Sequence, residues 1–254
     1  SANADLPALM ILTDDKEVLG GPKNWTSGFL PASYQGPPFR KEGDPIFHLK
    51  PPETVGVKQQ RSKLDLLAAL NRHYATDKLD DTELEARMSS YELAYRMQSA
   101  APEAVDLSKE SEVTKKLYGM NEEITSKFGT NCLMARRLVE RGVRFVEVYC
   151  GSGSAWDAHK DLETNHSKMC KISEKPIGGL LTDLKARGLL EETLVVWGGE
   201  FGRTPFNESG KGRDHNPWGF TSWMAGGGIK GGQVIGATDE IGLRAVEKPY
   251  HVHD

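Results

Sequence analysis

Residues 193–197 are Thr-Leu-Val-Val-Trp, and this short, almost wholly apolar run is the stretch that decides the fold. Such a run is typical of an interior strand of a parallel sheet that is covered on both faces. Residues 177–187 have helical spacing and are followed by Gly188, and a strand-like run at 143–149 comes before them. A strand, a helix and a strand with short connections form a βαβ unit. The sequence therefore predicts an α/β fold with a mostly parallel central sheet flanked by helices.

The amino-terminal half adds one strand, a loop and a helical portion. An apolar run at 9–12 predicts a strand. Residues 20–57 are rich in Pro and Gly and contain scattered aromatic residues, which predicts a long loop that packs against the rest of the protein. A weaker apolar run at 222–225 predicts a further strand near the carboxyl end. Both ends of the chain look cut, so we expect a fragment of a longer protein.

Helical spacing dominates residues 58–141. Leucines recur at helical intervals over 64–70, and a capping start at 80–82 predicts a second helix that ends at the Ala-Ala-Pro of 100–102. A third helix is predicted over 121–141, with Gly142 as its C-cap. We interpret residues 1–254 as a single domain, in which 58–141 is the helical portion and 143–254 carries the functional site.

Composition limits the classes of function. The 254 residues are 27% charged and 38% hydrophobic, as in ordinary globular proteins. A net charge of −4 gives no electrostatic reason to expect nucleic acid as a partner, and no apolar run is long enough for a membrane span. The three cysteines form no Cys-x-x-Cys pair, so the pattern of a thiolate zinc site is missing, although one disulfide bridge is compatible with their number.

Polar clusters follow both strands of the βαβ unit and continue into the next loop. They are residues 156–159 (Trp-Asp-Ala-His), 199–205 (Gly-Glu-Phe-Gly-Arg-Thr-Pro) and 212–217 (Gly-Arg-Asp-His-Asn-Pro), with Asp161 and His166 close behind the first. Ligand sites of open α/β sheets form outside the carboxyl ends of the strands, where these clusters should gather. Carboxylate and imidazole ligands suit Zn²⁺, Mn²⁺, Mg²⁺ or iron, and the planar guanidinium of Arg203 suits an anionic substrate.

Each cluster also has a simpler interpretation. A lone Asp-x-His pair is often a helix cap or a solvated loop, and Glu200 could cap the turn that follows it. Arg213 and Asp214 could form a surface ion pair worth under about 1 kcal/mol. The glycines of 226–232 could cradle a phosphate, but no Walker pattern accompanies them and a tight turn is the better interpretation. The position of three clusters at successive strand ends favours a metal or anion site.

These clusters resemble the motifs of DUF1501, a bacterial family of unknown function that is abundant in planctomycetes. The match continues through the glycine-rich residues 225–232 and Gly-Ala-Thr-Asp at 236–239, and it reaches back to Ser-Gly-Phe-Leu-Pro at 27–31. The resemblance places the chain in the alkaline-phosphatase, sulfatase and phosphomutase superfamily, and it therefore implies an alkaline-phosphatase-like fold. Family members often carry a twin-arginine signal, so the resemblance implies that the parent protein is exported.

The resemblance also implies a metal-ligand set. It comprises Asp157, His159, Glu200, Asp214 and His215, with Asp161 and His166 as a weaker alternative for the first pair. The superfamily's usual Asp-His-Gly is here Glu200-Phe201-Gly202, and phenylalanine cannot ligate a metal. Either another group such as Asp214 substitutes, or the site holds one metal.

The superfamily's nucleophile and first metal-binding aspartate lie near the amino terminus, upstream of residue 6 on this resemblance. Asp14, Asp15, Thr26 and Ser27 are weaker candidates for these roles.

We therefore expect a metal-dependent hydrolase of phosphate or sulfate esters. Its cofactor would be a divalent metal such as Zn, Mn or Mg, its substrate a small anionic ester, and Arg203 would lie near the transferred group. The alternative is a non-catalytic exported binding or scaffold protein on a degenerate phosphatase-like fold, which Phe201 favours.

Overall fold

The computed structural model of the protein describes residues 3–13, 18–26, 54–75, 82–207 and 210–251. Of these residues 46% are helical and 13% lie in strands, so the structure is mixed. The helices are α1 (Val57–Ala75), α2 (Thr82–Val105), α3 (Glu112–Leu117), α4 (Glu123–Glu140) and α5 (Leu162–Ala186). The strands are β1 (Leu9–Leu12), β2 (Phe145–Val148), β3 (Leu194–Trp197), β4 (Gly202–Arg203), β5 (His215–Asn216), β6 (Trp223–Gly226), β7 (Ala237–Thr238) and β8 (Ala245–Glu247).

Several predictions concern residues outside these ranges. They are the candidate residues Asp14, Asp15 and Ser27, the aromatic residues of the predicted loop at 29–39, and the capping pair at 80–81. Thr26 is described, and its hydroxyl donates a hydrogen bond to the carbonyl of Lys23. None of the described helices is both long and apolar enough to span a bilayer.

The first of two compact units comprises Ser1–Lys115 and Thr130–Gly153. Its sheet is the parallel pair of β1 and β2, in register from Leu9 opposite Phe145 to Leu12 opposite Val148. Three of the four β1 side chains are buried, which is the expected outcome for an apolar run of this length. The buried residues of the core around this strand are Leu6, Met10, Leu12, Met97, Ala101, Ala104, Met134, Ala135, Leu138 and Val143.

The ends of two helices show one confirmed and one wrong prediction. Gly142 has a φ of 85°, and the amide of Val143 donates to the carbonyl of Leu138, so α4 ends in the predicted glycine C-cap. The predicted end of α2 at residues 100–102 is wrong, because the helix continues through Pro102 to Val105. Ala101 and Ala104 are 1% and 0% exposed, so burial of the last turn outweighs the hydrogen bond that the proline lacks.

A buried ion-pair network joins α4 to the segment before α3. Glu110, whose side chain is 8% exposed, accepts hydrogen bonds from Arg136 and Arg137. Burial by itself would raise the pKa of Glu110, but the bonds and charges of the two arginines outweigh it and hold that pKa below its usual value. Glu110 is therefore charged in the folded protein at neutral pH.

The second unit comprises Lys116–Gly129 and Ser154–Asp254. The strands at β3 and β6 are confirmed, but they pair with each other in antiparallel register, as do β4 with β5 and β7 with β8. The prediction of a mostly parallel central sheet is not supported, because the described strands form two-stranded sheets of which β1–β2 is parallel. Leu194 and Val196 are 49% and 56% exposed, so β3 is not covered on both faces. An apolar run favours a strand but specifies neither the direction nor the number of its neighbours.

The helix α5 begins at Leu162, well before the predicted start at residue 177, and it includes a buried Pro176. Near its other end, Asp183 accepts a hydrogen bond from the Tyr118 hydroxyl at 2.9 Å and one from Arg187 at 2.8 Å. Tyr118 is fully buried, so this bond ties α5 to the start of the unit. The early start of α5 matters for the site, because its first turns lie directly after residues 156–159.

Candidate metal centre

The three polar clusters are held together by main-chain hydrogen bonds, with residues 211–216 in the middle. On one side, the amide of Arg213 donates to the carbonyl of Ala158 at 3.0 Å, and that of Lys211 donates to the carbonyl of Lys160 at 3.1 Å. On the other side, β4 pairs with β5 so that Arg203 lies opposite His215. Segments far apart in sequence therefore meet through the backbone.

Two glycines permit this close approach. A Cβ on Gly212 would lie 2.0 Å from the carbonyl carbon of His159 and 2.1 Å from its oxygen. A Cβ on Gly202 would lie 1.9 Å from the carbonyl oxygen of Gly219. Real side-chain carbons do not approach other atoms so closely, so both positions require glycine for packing rather than for an unusual backbone angle. The glycines of the two motifs thus have a structural role beside the metal-ligating candidates.

Three donor atoms converge between the clusters. Asp157 Oδ1 lies 3.1 Å from His159 Nε2 and 3.2 Å from His215 Nε2. The two Nε2 atoms are 3.2 Å apart, so the three atoms form a nearly equilateral triangle. Donors in a tetrahedral set about 2.0–2.1 Å from Zn²⁺ are separated by about 3.3–3.4 Å. The residues present therefore fit a divalent metal, and they leave room for further ligands because both histidine side chains are nearly half exposed.

The protonation state of Asp157 suits metal binding. Burial by itself would raise the pKa of Asp157, but the hydrogen bond from His215 and the charges of Arg203 and the two histidines hold it below its usual value. Asp157 is therefore a carboxylate, the form in which it can ligate a metal.

Asp214 contacts the far side of the His159 ring. Its Oδ1 lies 3.3 Å from His159 Nδ1, whereas the nitrogen that faces the other two donors is Nε2. A carboxylate only accepts hydrogen bonds, so a neutral His159 carries its proton on Nδ1 and keeps the lone pair of Nε2 for a metal. The amide of Asp214 also donates to Thr204 Oγ1 at 3.1 Å, which fixes the backbone there. Asp214 is placed to orient a ligand, and it lies outside the group of three donors.

Glu200 and Arg203 lie on another side of the triangle. Arg203 Nη1 is 2.8 Å from Asp157 Oδ1, and Nη2 is 3.3 Å from Glu200 Oε1. Nη1 is buried, and its contact with Asp157 is an ion pair whose angle is poor for a hydrogen bond. Phe201 packs its ring 4.6 Å from the His215 ring and 5.4 Å from the Arg203 guanidinium carbon. Of the five sequence-predicted ligands, the structure brings Asp157, His159 and His215 together and places Glu200 against Arg203.

The weaker candidates Asp161 and His166 do not join the triangle. Asp161 precedes α5, and His166 Nε2 lies 3.0 Å from the carbonyl oxygen of Trp156. Asn165 donates a hydrogen bond from Nδ2 to the carbonyl of Ala155 at 2.9 Å. The first turns of α5 thus hold the backbone immediately before Asp157. Sequence reasoning missed Asn165, because its role depends on a helix that was predicted to start later.

The family model for a protein of unknown function, DUF1501, matches residues 1–254, the whole chain. The protein belongs to DUF1501. No curated protein matches the chain, and no solved structure does. Three of the motifs that carried the resemblance, at 156–159, 199–205 and 212–217, meet at this centre, and membership of DUF1501 by itself assigns no chemistry to them.

Proposed function

We propose that this DUF1501 protein is a metal-dependent hydrolase of phosphate or sulfate esters. The observation that carries the proposal is the triangle of Asp157 Oδ1, His159 Nε2 and His215 Nε2, with edges of 3.1–3.2 Å. These three atoms carry lone pairs that repel one another at such distances. The arrangement is favourable only when protons or a cation lie between the two imidazole nitrogens and the carboxylate oxygen. Three protein ligands with open positions are typical of catalytic rather than structural metal sites.

Each neighbouring side chain has a role that follows from its contacts. Asp214 fixes the tautomer of His159, and Arg203 holds Asp157 by charge while its Nη2 edge pairs with the exposed Glu200. An anionic ester oxygen can approach that edge, where a guanidinium provides planar donors. A bound Zn²⁺, Mn²⁺ or Mg²⁺ would supply Lewis-acid polarisation of the ester and a lowered pKa for water. The proposal also includes the superfamily placement that the motifs suggest and the export of the parent protein.

Metal content and ester turnover test the proposal together. We expect the purified chain, prepared without chelator, to bind Zn²⁺ or Mn²⁺, and we expect His215→Ala and Asp157→Ala to lose it. His166→Ala is the matched control, since it removes an imidazole close in sequence that lies outside the triangle. Metal binding that is equal in all four proteins would refute the proposed centre.

A non-catalytic binding or scaffold protein is the second candidate, and Phe201 favours it. The Phe201 ring covers one side of His215 and contacts the guanidinium of Arg203. Such packing gives the cluster a structural use that needs no turnover. The two candidates differ in one measurement: the hydrolase requires metal-dependent cleavage of an aryl phosphate or sulfate, and the scaffold predicts none even in the metal-loaded full-length protein.

A further inference from the structure

We propose that the centre binds a single divalent cation and that the guanidinium of Arg203 supplies the second positive charge of the site. The substrate is then a tetrahedral ester with one negative charge. Sulfate monoesters and phosphate diesters share this chemistry. This inference rests on the proposed function. The proposal specifies what the resemblance left open, namely the number of metals, the role of Phe201 and the charge of the substrate.

The donor count supports one metal. Among the residues that the structure describes, Asp157, His159 and His215 are the group in which three candidate donors converge. The two other acidic residues nearby already have partners in the same cluster. Asp214 lies against the Nδ1 side of His159, and Glu200 lies against Arg203. A second metal would therefore have to take its ligands from contacts that maintain the first site.

The space beside Asp157 is taken by the guanidinium of Arg203. Arg203 Nη1 is 2.8 Å from Asp157 Oδ1, which is also one corner of the triangle. Metals that share a site are typically about 3.5–4 Å apart, so a second ion on this side would coincide with Arg203. Phe201 contacts both the His215 ring and the guanidinium, and it offers no ligand atom. A fixed organic cation therefore occupies the position that a second metal would need.

The formal charges of the cluster also indicate one metal ion per site, and they indicate the charge of the substrate. With His159 and His215 neutral, as metal ligation requires, the three carboxylates of Asp157, Glu200 and Asp214 and the guanidinium of Arg203 carry a formal net charge of −2. One divalent cation cancels that charge, and a second would leave the cluster strongly positive. A neutral centre accepts one negative charge at a smaller electrostatic cost than two, because both neighbouring carboxylates repel the added charge. A dianionic phosphate monoester is therefore disfavoured relative to a monoanion of the same shape.

The number of metals is tested by loading the 254-residue chain with Zn²⁺, removing excess ion by gel filtration and measuring zinc per chain. We expect one zinc in the wild type and in Arg203→Met, because Arg203 is not a ligand. Two zinc ions per chain would overturn this inference and leave the metal-dependent hydrolase intact. No zinc in either protein would refute the proposed function itself.

The substrate class is tested with two isosteric probes, methanesulfonate and methylphosphonate, at a pH at which the phosphonate carries two charges. Binding is followed on Co²⁺-loaded protein through the visible spectrum of the metal, which needs no turnover. We expect methanesulfonate to bind at least as tightly as methylphosphonate. We expect Arg203→Met to weaken methanesulfonate binding by about 10- to 100-fold, whereas Arg203→Lys keeps most of it. Tighter binding of methylphosphonate, or unchanged binding in Arg203→Met, would overturn the inference.

Ester turnover then separates the two sources of a singly charged substrate. Cleavage of 4-nitrophenyl sulfate over bis(4-nitrophenyl) phosphate identifies the sulfate monoester, and the opposite preference identifies the diester. Preferential cleavage of 4-nitrophenyl phosphate, the dianionic member of the series, counts against the inference.

Discussion

Replacement of Gly212 by alanine should disable the metal centre without touching any of its ligands. The new Cβ would be 2.0 Å from the carbonyl carbon of His159, and ordinary contacts of this kind begin at about 3.5 Å. The two strands of backbone must therefore separate by about 1.5 Å at this point. Such a shift breaks the hydrogen bonds of Arg213 to Ala158 and of Lys211 to Lys160, which are now 3.0 and 3.1 Å long.

Two consequences can be measured. Loss of two main-chain hydrogen bonds should lower the free energy of unfolding by about 2 kcal/mol. Metal–ligand distances vary by only about 0.2 Å in working sites, and displacement of His159 would exceed that range. Loss of a side chain that only orients a ligand weakens metal binding by roughly 10- to 100-fold, and we expect a larger loss here because a ligand itself is displaced.

Calorimetric titration with Zn²⁺ and urea unfolding provide the two measurements. Gly199→Ala is the matched control, because a Cβ there meets nothing within 4 Å and the variant should behave as wild type. If Gly212→Ala binds zinc within threefold of the wild type, the reasoning from close approach is wrong.

Other substitutions test single contacts. Asp214→Asn should weaken zinc binding by about 10- to 100-fold, measured by calorimetry, because the amide holds the Nδ1 proton of His159 less firmly. Glu110→Gln should lower the free energy of unfolding at pH 7 by about 3 kcal/mol, measured in urea. The pKa of Glu110 is lower in the folded protein than its ordinary value of 4.5. The stability that the Glu110 carboxylate contributes is therefore complete above pH 4.5 and is lost as the pH falls through the pKa of the folded state. Glu110→Gln should lack this acid-dependent loss of stability. Tyr118→Phe should cost about 1 kcal/mol in the same assay, because it removes the buried hydrogen bond to Asp183; a change below about 0.3 kcal/mol would show the bond to be irrelevant.

Local sequence determined the elements whose signals are local. The strand β1 is a run of four apolar residues, and α4 has an apolar face and a glycine at its end, so both follow from side-chain spacing and backbone preference. The sequence also supplied the five candidate ligands from which the centre is drawn, because Asp157, His159, Glu200, Asp214 and His215 lie in motifs that resemble those of DUF1501. These conclusions required no knowledge of which segments meet in space.

Only the tertiary structure decided how those segments pair and what each polar group contacts. The apolar run of β3 was compatible with a parallel neighbour, but it pairs antiparallel with β6, since strand direction depends on long-range packing. From the sequence alone, Asp214 and Glu200 were candidate metal ligands of the same chemical type as Asp157. The structure distinguishes them by placing Asp214 against His159 Nδ1 and Glu200 against Arg203, and such distinctions depend on distances of a few ångströms between residues up to 55 positions apart.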